Sequence, residues 1–131
     1  YKKVINLVEE IFSNNYSYLS ELNQDLTKLI AKRLDINCNF YLSSKINAEG
    51  KKSAIILDIC KKFNTSNYIT GVGSKSYLEE NDFKKNNIKI SYIEPTNITY
   101  HQTNTKKFIS NLSIIDYLFN VGFKPLQINL N

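Results

Sequence analysis

The chain has 131 residues, with a single histidine, two cysteines and no apolar run long enough to cross a membrane. The lone His101 excludes a histidine-rich zinc centre, and no cofactor or metal is implied. Cys38 and Cys60 lie far apart without metal-ligand spacing, which predicts two reduced, mostly buried thiols. Nothing at the start reads as a signal peptide, so the expected location is cytoplasmic. No methionine opens the chain; Tyr1 leads straight into a helical pattern, as in a piece of a longer protein. A continuous basic stripe is also missing. Lys and Arg number 17 against 12 Asp and Glu, a net charge of +5, but the lysines are dispersed apart from doublets such as Lys51-Lys52 and Lys61-Lys62. That balance gives a mild preference for anions and argues against nucleic acid as a partner.

What is present fits one domain over residues 1–131, with 42% hydrophobic residues. Val4, Ile5, Leu7, Val8, Ile11 and Phe12 follow helix spacing, and Leu19, Leu22, Leu26, Leu29 and Ile30 form a second stripe ending near Arg33. Residues 1–35 therefore form a helical segment and 36–122 an α/β part. Within the latter, Asn37 to Leu42 reads as a short strand and Ser43 to Gly50 as a polar connection. Ile55, Ile56, Ile59, Cys60 and Phe63 share one helical face. Tyr68 to Thr70 is a strand, Ser76 to Glu80 a short helix, and Ile88 to Ile93 alternates as a strand should, ending at Pro95. Leu112 to Phe119 is a last helix, closed by Gly122 and Pro125. Strands alternating with helices predict an α/β fold, a small parallel sheet flanked by helices, with ligands beyond the carboxyl ends of its strands.

Thr70-Gly71-Val72-Gly73-Ser74-Lys75-Ser76-Tyr77 lies at such an end. Four residues do not separate its first glycine from a Gly-Lys pair, so it is not a P-loop. The third glycine of a dinucleotide fingerprint is replaced by Ser76. Two readings stay open, an anion-binding turn using Thr70, Gly71, Gly73, Ser74 and Lys75, or a tight strand-to-helix turn with no ligand. Tyr77 could aim its hydroxyl into the site, and Leu78 reads as core. On the last helix, Ser113 can cap the N-terminus, with Asp116 bonding back to it. Ser113, Asp116 and Asn120 then share a polar face. A carboxylate and an amide four residues apart can hold an amine or hydroxyl; on the residues alone, capping and solvation is the favoured explanation. Cys60 sits on an apolar face, so no covalent nucleophile stands out. His101, between Tyr100 and Gln102, reads as a surface loop residue.

Two linked segments resemble the WbqC-like protein family. The first is Leu57-Asp58-Ile59-Cys60-Lys61-Lys62-Phe63 followed by Tyr68-Ile69-Thr70-Gly71 through Lys75 and Tyr77-Leu78. The second is Phe108-Ile109-Ser110-Asn111-Leu112-Ser113-Ile114-Ile115-Asp116-Tyr117-Leu118-Phe119-Asn120. Order and separations agree over about Ser53 to Gly122. Val72 stands where proline is usual, Ser76 where aspartate is common, and His101 replaces the proline of a Tyr-Pro-Gln stretch. The family's N-terminal Gln-Pro-Asn-Tyr and Asn-Arg-rich motifs are missing, so the expected match is to a C-terminal half only. The resemblance implies bacterial O-antigen or capsule biosynthesis and an aminoacyl (glycyl) or acyl transferase acting on a nucleotide-linked amino sugar. Asp116 and Asn120 would orient the acceptor, and the glycine loop would bind the anionic group of a nucleotide-sugar or acyl donor. The alternative is a non-catalytic docking module that associates with the missing N-terminal half, with a second copy, or with another polysaccharide-synthesis protein.

Overall fold

Val4, Leu7 and Ile11 recur at the spacing that brings side chains onto one helix face, and they are the buried residues of α1 (Lys2–Phe12). In α2 (Leu19–Arg33) the side chain of Glu21 accepts from the backbone N–H of Ser17 and Tyr18, closing the first turn. Arg33 at its far end pairs with Glu10 of α1 at 2.8 Å. The predicted α2 stripe is only half-buried, and Leu19 is 70% exposed. Near the other end of the chain, α5 (Ile114–Val121) starts under Ser113, whose Oγ accepts from Ile115 N–H at 3.3 Å. Gly122, at φ +87°, ends the helix in a conformation that favours glycine. Tyr117 and Leu118 of α5 pack with Val4 and Leu34 into one core.

The computed structural model describes residues 1–94 and 98–125, so the expected role of Pro95 in ending a strand lies outside it. The described residues divide into two units, 1–40 with 98–125, and 41–94. The second unit is built around a β-α-β turn. α3 (Ser53–Lys62) precedes β1 (Asn67–Gly71); a 3₁₀ turn (Val72–Ser76) and α4 (Glu80–Lys85) then lead to β2 (Lys89–Ile93). β1 and β2 pair in parallel, from Asn67 opposite Lys89 to Gly71 opposite Ile93. Parallel strands need a crossover connection, and α4 lies on it. Phe83, Cys60, Leu78 and Ile88 form the core beneath, with Tyr68 stacked on Phe83 at 5.8 Å. The fold is α/β, a small parallel sheet with helices, as the alternating pattern predicted.

Three expectations change. Asn37 to Leu42 forms no strand, because among the described residues the only ladder joins β1 and β2. Instead, Tyr41 packs its ring on Phe63 at 4.6 Å. The helix expected at Ser76 to Glu80 is divided: a 3₁₀ turn ends at Ser76 and α4 begins at Glu80. Ser74 and Ser76 each donate to a carbonyl three residues back, which tightens that turn. Finally, Cys60 is buried, with its thiol pushed up by desolvation, but Cys38 is exposed.

Candidate functional site

The glycine loop follows β1 as predicted. Ser74 is buried, with Oγ donating to the Gly71 carbonyl at 2.7 Å. Neither Gly71 nor Gly73 has a left-handed φ, and a Cβ at either would meet nothing within 4 Å. The turn therefore does not depend on glycine, and the space over both residues is open. Thr70 stands opposite Tyr92 in the ladder. The Lys75 ammonium lies 4.7 Å from the centroid of the Tyr92 ring, a cation–π contact. Tyr92 donates its hydroxyl to Glu80 at 2.6 Å, and that bond to a carboxylate, with lesser burial, pushes its pKa up to about 12. An absorbance titration should show one tyrosine with a midpoint near 12, lost in Tyr92→Phe. Because the folded pKa is raised, the bond contributes to stability below the ordinary tyrosine pKa of about 10 and loses that contribution as pH rises from there towards 12. A titration in which Tyr92→Phe removes no late component would disprove the bond.

A groove of about 480 Å³ runs along α3, from Lys51 and Lys52 before the helix to Lys61 in its last turn. Tyr77, half-exposed, is the one predicted site residue in its lining; Lys75 and both loop glycines lie outside it. Lys51, Lys52 and Lys61 supply cations there and have no ion-pair partner among the described residues. Of the lining carboxylates, Asp58 is engaged with Lys62 at 3.0 Å and Asp82 with Lys85 at 3.3 Å, whereas Glu79 has no such partner among the described residues. Asp58 also accepts from the Glu49 N–H at 2.8 Å; this bond first, and Lys62 second, hold its carboxyl below the usual range. The Glu79 N–H donates to Ser53 Oγ at 2.9 Å, joining the end of the glycine loop to the start of α3. Just before the helix, Gly50 has φ +104° and a Cβ would crowd Ala54 at 3.0 Å, so glycine is required there. Lys52 has φ +51° and ψ −121°, a conformation strained for any residue with a Cβ. In the sequence the groove shows only as the Gly50-Lys51-Lys52-Ser53 run before an apolar helix, a charged doublet beside a glycine.

Asp116 and Asn120 meet across one turn of α5, with Asn120 Nδ2 donating to Asp116 Oδ1 at 3.2 Å. Asp116 does not bond back to the helix start. Its Oδ2 accepts from the Tyr100 hydroxyl at 2.7 Å and from Gln102 Nε2 at 3.1 Å. Asn120 Oδ1 accepts both the N–H and the hydroxyl of Thr103, at 2.8 and 2.9 Å. Burial, then the bond to Asp116, raises the Tyr100 pKa. The polar face of α5 is thus turned onto the segment from residue 100 to 109, while His101 stays exposed.

A model of the WbqC-like protein family matches residues 1–128. The match takes in the N-terminal helices as well as the Ser53 to Gly122 motifs, which corrects the expectation of a resemblance to a C-terminal half only. The chain is also similar to the uncharacterized protein Rv1507c of Mycobacterium tuberculosis, 25% identical over 107 residues, which cover 82% of this chain and 46% of that protein. The chain thus spans about half the length of this curated relative. No solved structure matches. Among the described residues no helix is long and apolar enough to cross a membrane.

Proposed function

This chain belongs to the WbqC-like protein family, and from that premise we propose that it binds a nucleotide-linked amino sugar and serves acyl or aminoacyl (glycyl) transfer to its amine, in the cytoplasm, for bacterial surface polysaccharide synthesis. The observation that carries the reading is the groove along α3, with Lys51 and Lys52 just before the helix and Lys61 in its last turn, none of them with a carboxylate partner among the described residues. Ammonium groups gathered along a groove favour a phosphate. Thr70, Gly71, Gly73, Ser74 and Lys75, outside the groove, are proposed to bind the anionic group of the acyl donor from the loop after β1. Asp116 and Asn120 serve the transfer by fixing the segment at 100–109. In the reaction the amine nitrogen attacks the acyl carbonyl carbon. A C–N bond forms, the donor's leaving group departs with its electron pair, and the amine proton passes to a base. Direct attack is preferred, and the Cys60 thiol, buried and with its pKa raised, is not offered as a nucleophile.

The test is a titration of the chain with UDP-glucosamine, followed by amide NMR. Saturable shifts at Ser53, Ala54 and Tyr77 are expected, with affinity reduced about tenfold in Lys51→Gln/Lys61→Gln, the loss of roughly 1.4 kcal/mol of interaction. Absence of saturable binding would remove the reading. The second reading, a docking module, is favoured by one observation. Among the described residues each strand of the two-stranded sheet has an unpaired edge, and one face exposes Ile69 (57%) and Ile93 (43%), whereas parallel sheets are ordinarily covered on both faces. Self-association or co-purification with a polysaccharide-synthesis protein, without ligand binding, would select it.

A further inference from the structure

The segment from Tyr100 to Ile109 is fixed far more firmly than an exposed polar loop requires. Gln102 is 6% exposed. Its Nε2 donates to the Ile109 carbonyl at 2.9 Å and its Oε1 accepts from the Ile109 N–H at 2.8 Å. One side-chain amide therefore closes the base of the loop as a strand partner would. The same Nε2 reaches Asp116, which also holds Tyr100. Thr103 is pinned to Asn120 by backbone and hydroxyl, and Thr105 Oγ1 turns inward to the Gln102 carbonyl. Phe108 packs edge-on against Tyr100 at 5.3 Å. What this frame holds outward is Asn104, at φ +65°, with Lys106 and Lys107.

We propose that residues 101–109 form a preorganised recognition loop for a phosphate-bearing ligand, with Lys106, Lys107 and Asn104 as its contact groups and Gln102, Asp116 and Asn120 as positioning residues. The charge argument is direct. The loop contains two lysines and no carboxylate, and neither lysine has an ion-pair partner among the described residues. The one carboxylate at its base, Asp116, is occupied by three uncharged donors. Positive charge is thus left uncompensated on a fixed frame. Binding to such a frame avoids the entropy of ordering a loop, and buried, fully satisfied polar networks are how a site's geometry is held. The inference concerns the loop alone and stands even if the α3 groove binds nothing.

The test titrates the full chain with inorganic pyrophosphate and, separately, with UDP-glucosamine, following amide shifts. Saturable shifts at residues 101–109 are expected with either probe, separate from any response of the α3 groove to the nucleotide sugar; a loop response to the nucleotide sugar alone would identify it as the source of the phosphate. Lys106→Gln/Lys107→Gln should reduce that affinity at least tenfold with an unchanged melting temperature. Gln102→Leu, which keeps both lysines, should speed amide exchange across 103–109 and weaken binding severalfold. Shifts that appear only around residues 51–61, or binding indifferent to Lys106 and Lys107, would overturn the proposal even if Gln102→Leu failed to fold.

Discussion

Phe83→Ala is expected to destabilise the protein by about 3–5 kcal/mol. Phe83 is fully buried at the centre of the 41–94 unit, between Cys60, Leu78 and Ile88 and under the Tyr68 ring. The substitution leaves a cavity among these side chains. Domains of this size have about 5–15 kcal/mol in total, so the loss removes a large part of the stability of the fold. The chain has no tryptophan, so tyrosine fluorescence or near-UV circular dichroism during urea unfolding gives the readout. Phe12→Ala is the control. Phe12 is 70% exposed, and a substitution there should stay within about 0.5 kcal/mol. If the two variants lost the same stability, Phe83 could not occupy the core described.

The outcome for Phe83 follows from a helix that periodicity barely marked. α4 reads Glu-Asn-Asp-Phe-Lys-Lys, and its one buried residue leaves no repeat to detect. α1 was legible because Val4, Leu7 and Ile11 are all driven to one face. β2 was legible because its pairing with β1 gives Ile90 and Tyr92 to the inner face. Asn37 to Leu42 carries similar residues without a partner, and a strand exists only as a pair. In the same way, Asp116 and Asn120 were readable as neighbours at i and i+4, a local relation. Their partners Tyr100, Gln102 and Thr103 lie 14 to 17 residues away in sequence, a separation set by tertiary packing. The groove combines residues 51–61 with 77–82, and only its first half leaves a local trace in the sequence. The family motifs located the right stretch of chain, but not which of its side chains face one another.

Lys52 separates function from stability most sharply. Its backbone, at φ +51° and ψ −121°, suits glycine, yet the position carries a lysine that lines the groove. Strain of this kind costs on the order of 1–3 kcal/mol, partly offset in any glycine variant by the greater freedom of the unfolded chain. Lys52→Gly should therefore leave stability unchanged or raise it by up to about 1 kcal/mol, while lowering affinity for UDP-glucosamine about tenfold through loss of one charge contact. Lys52→Ala removes the same charge but keeps the Cβ and its strain, so it should lose the same affinity with no gain in stability. Thermal unfolding and calorimetric titration of the two variants give both quantities side by side. Should Lys52→Gly gain stability and keep full affinity, the lysine would have no part in binding and the groove reading would lose its strongest support. Should it lose stability, the strained backbone itself would be refuted. Only the opposite movement of stability and affinity fits a residue retained at a structural cost for a ligand, the trade-off that marks a functional position in an otherwise self-consistent fold.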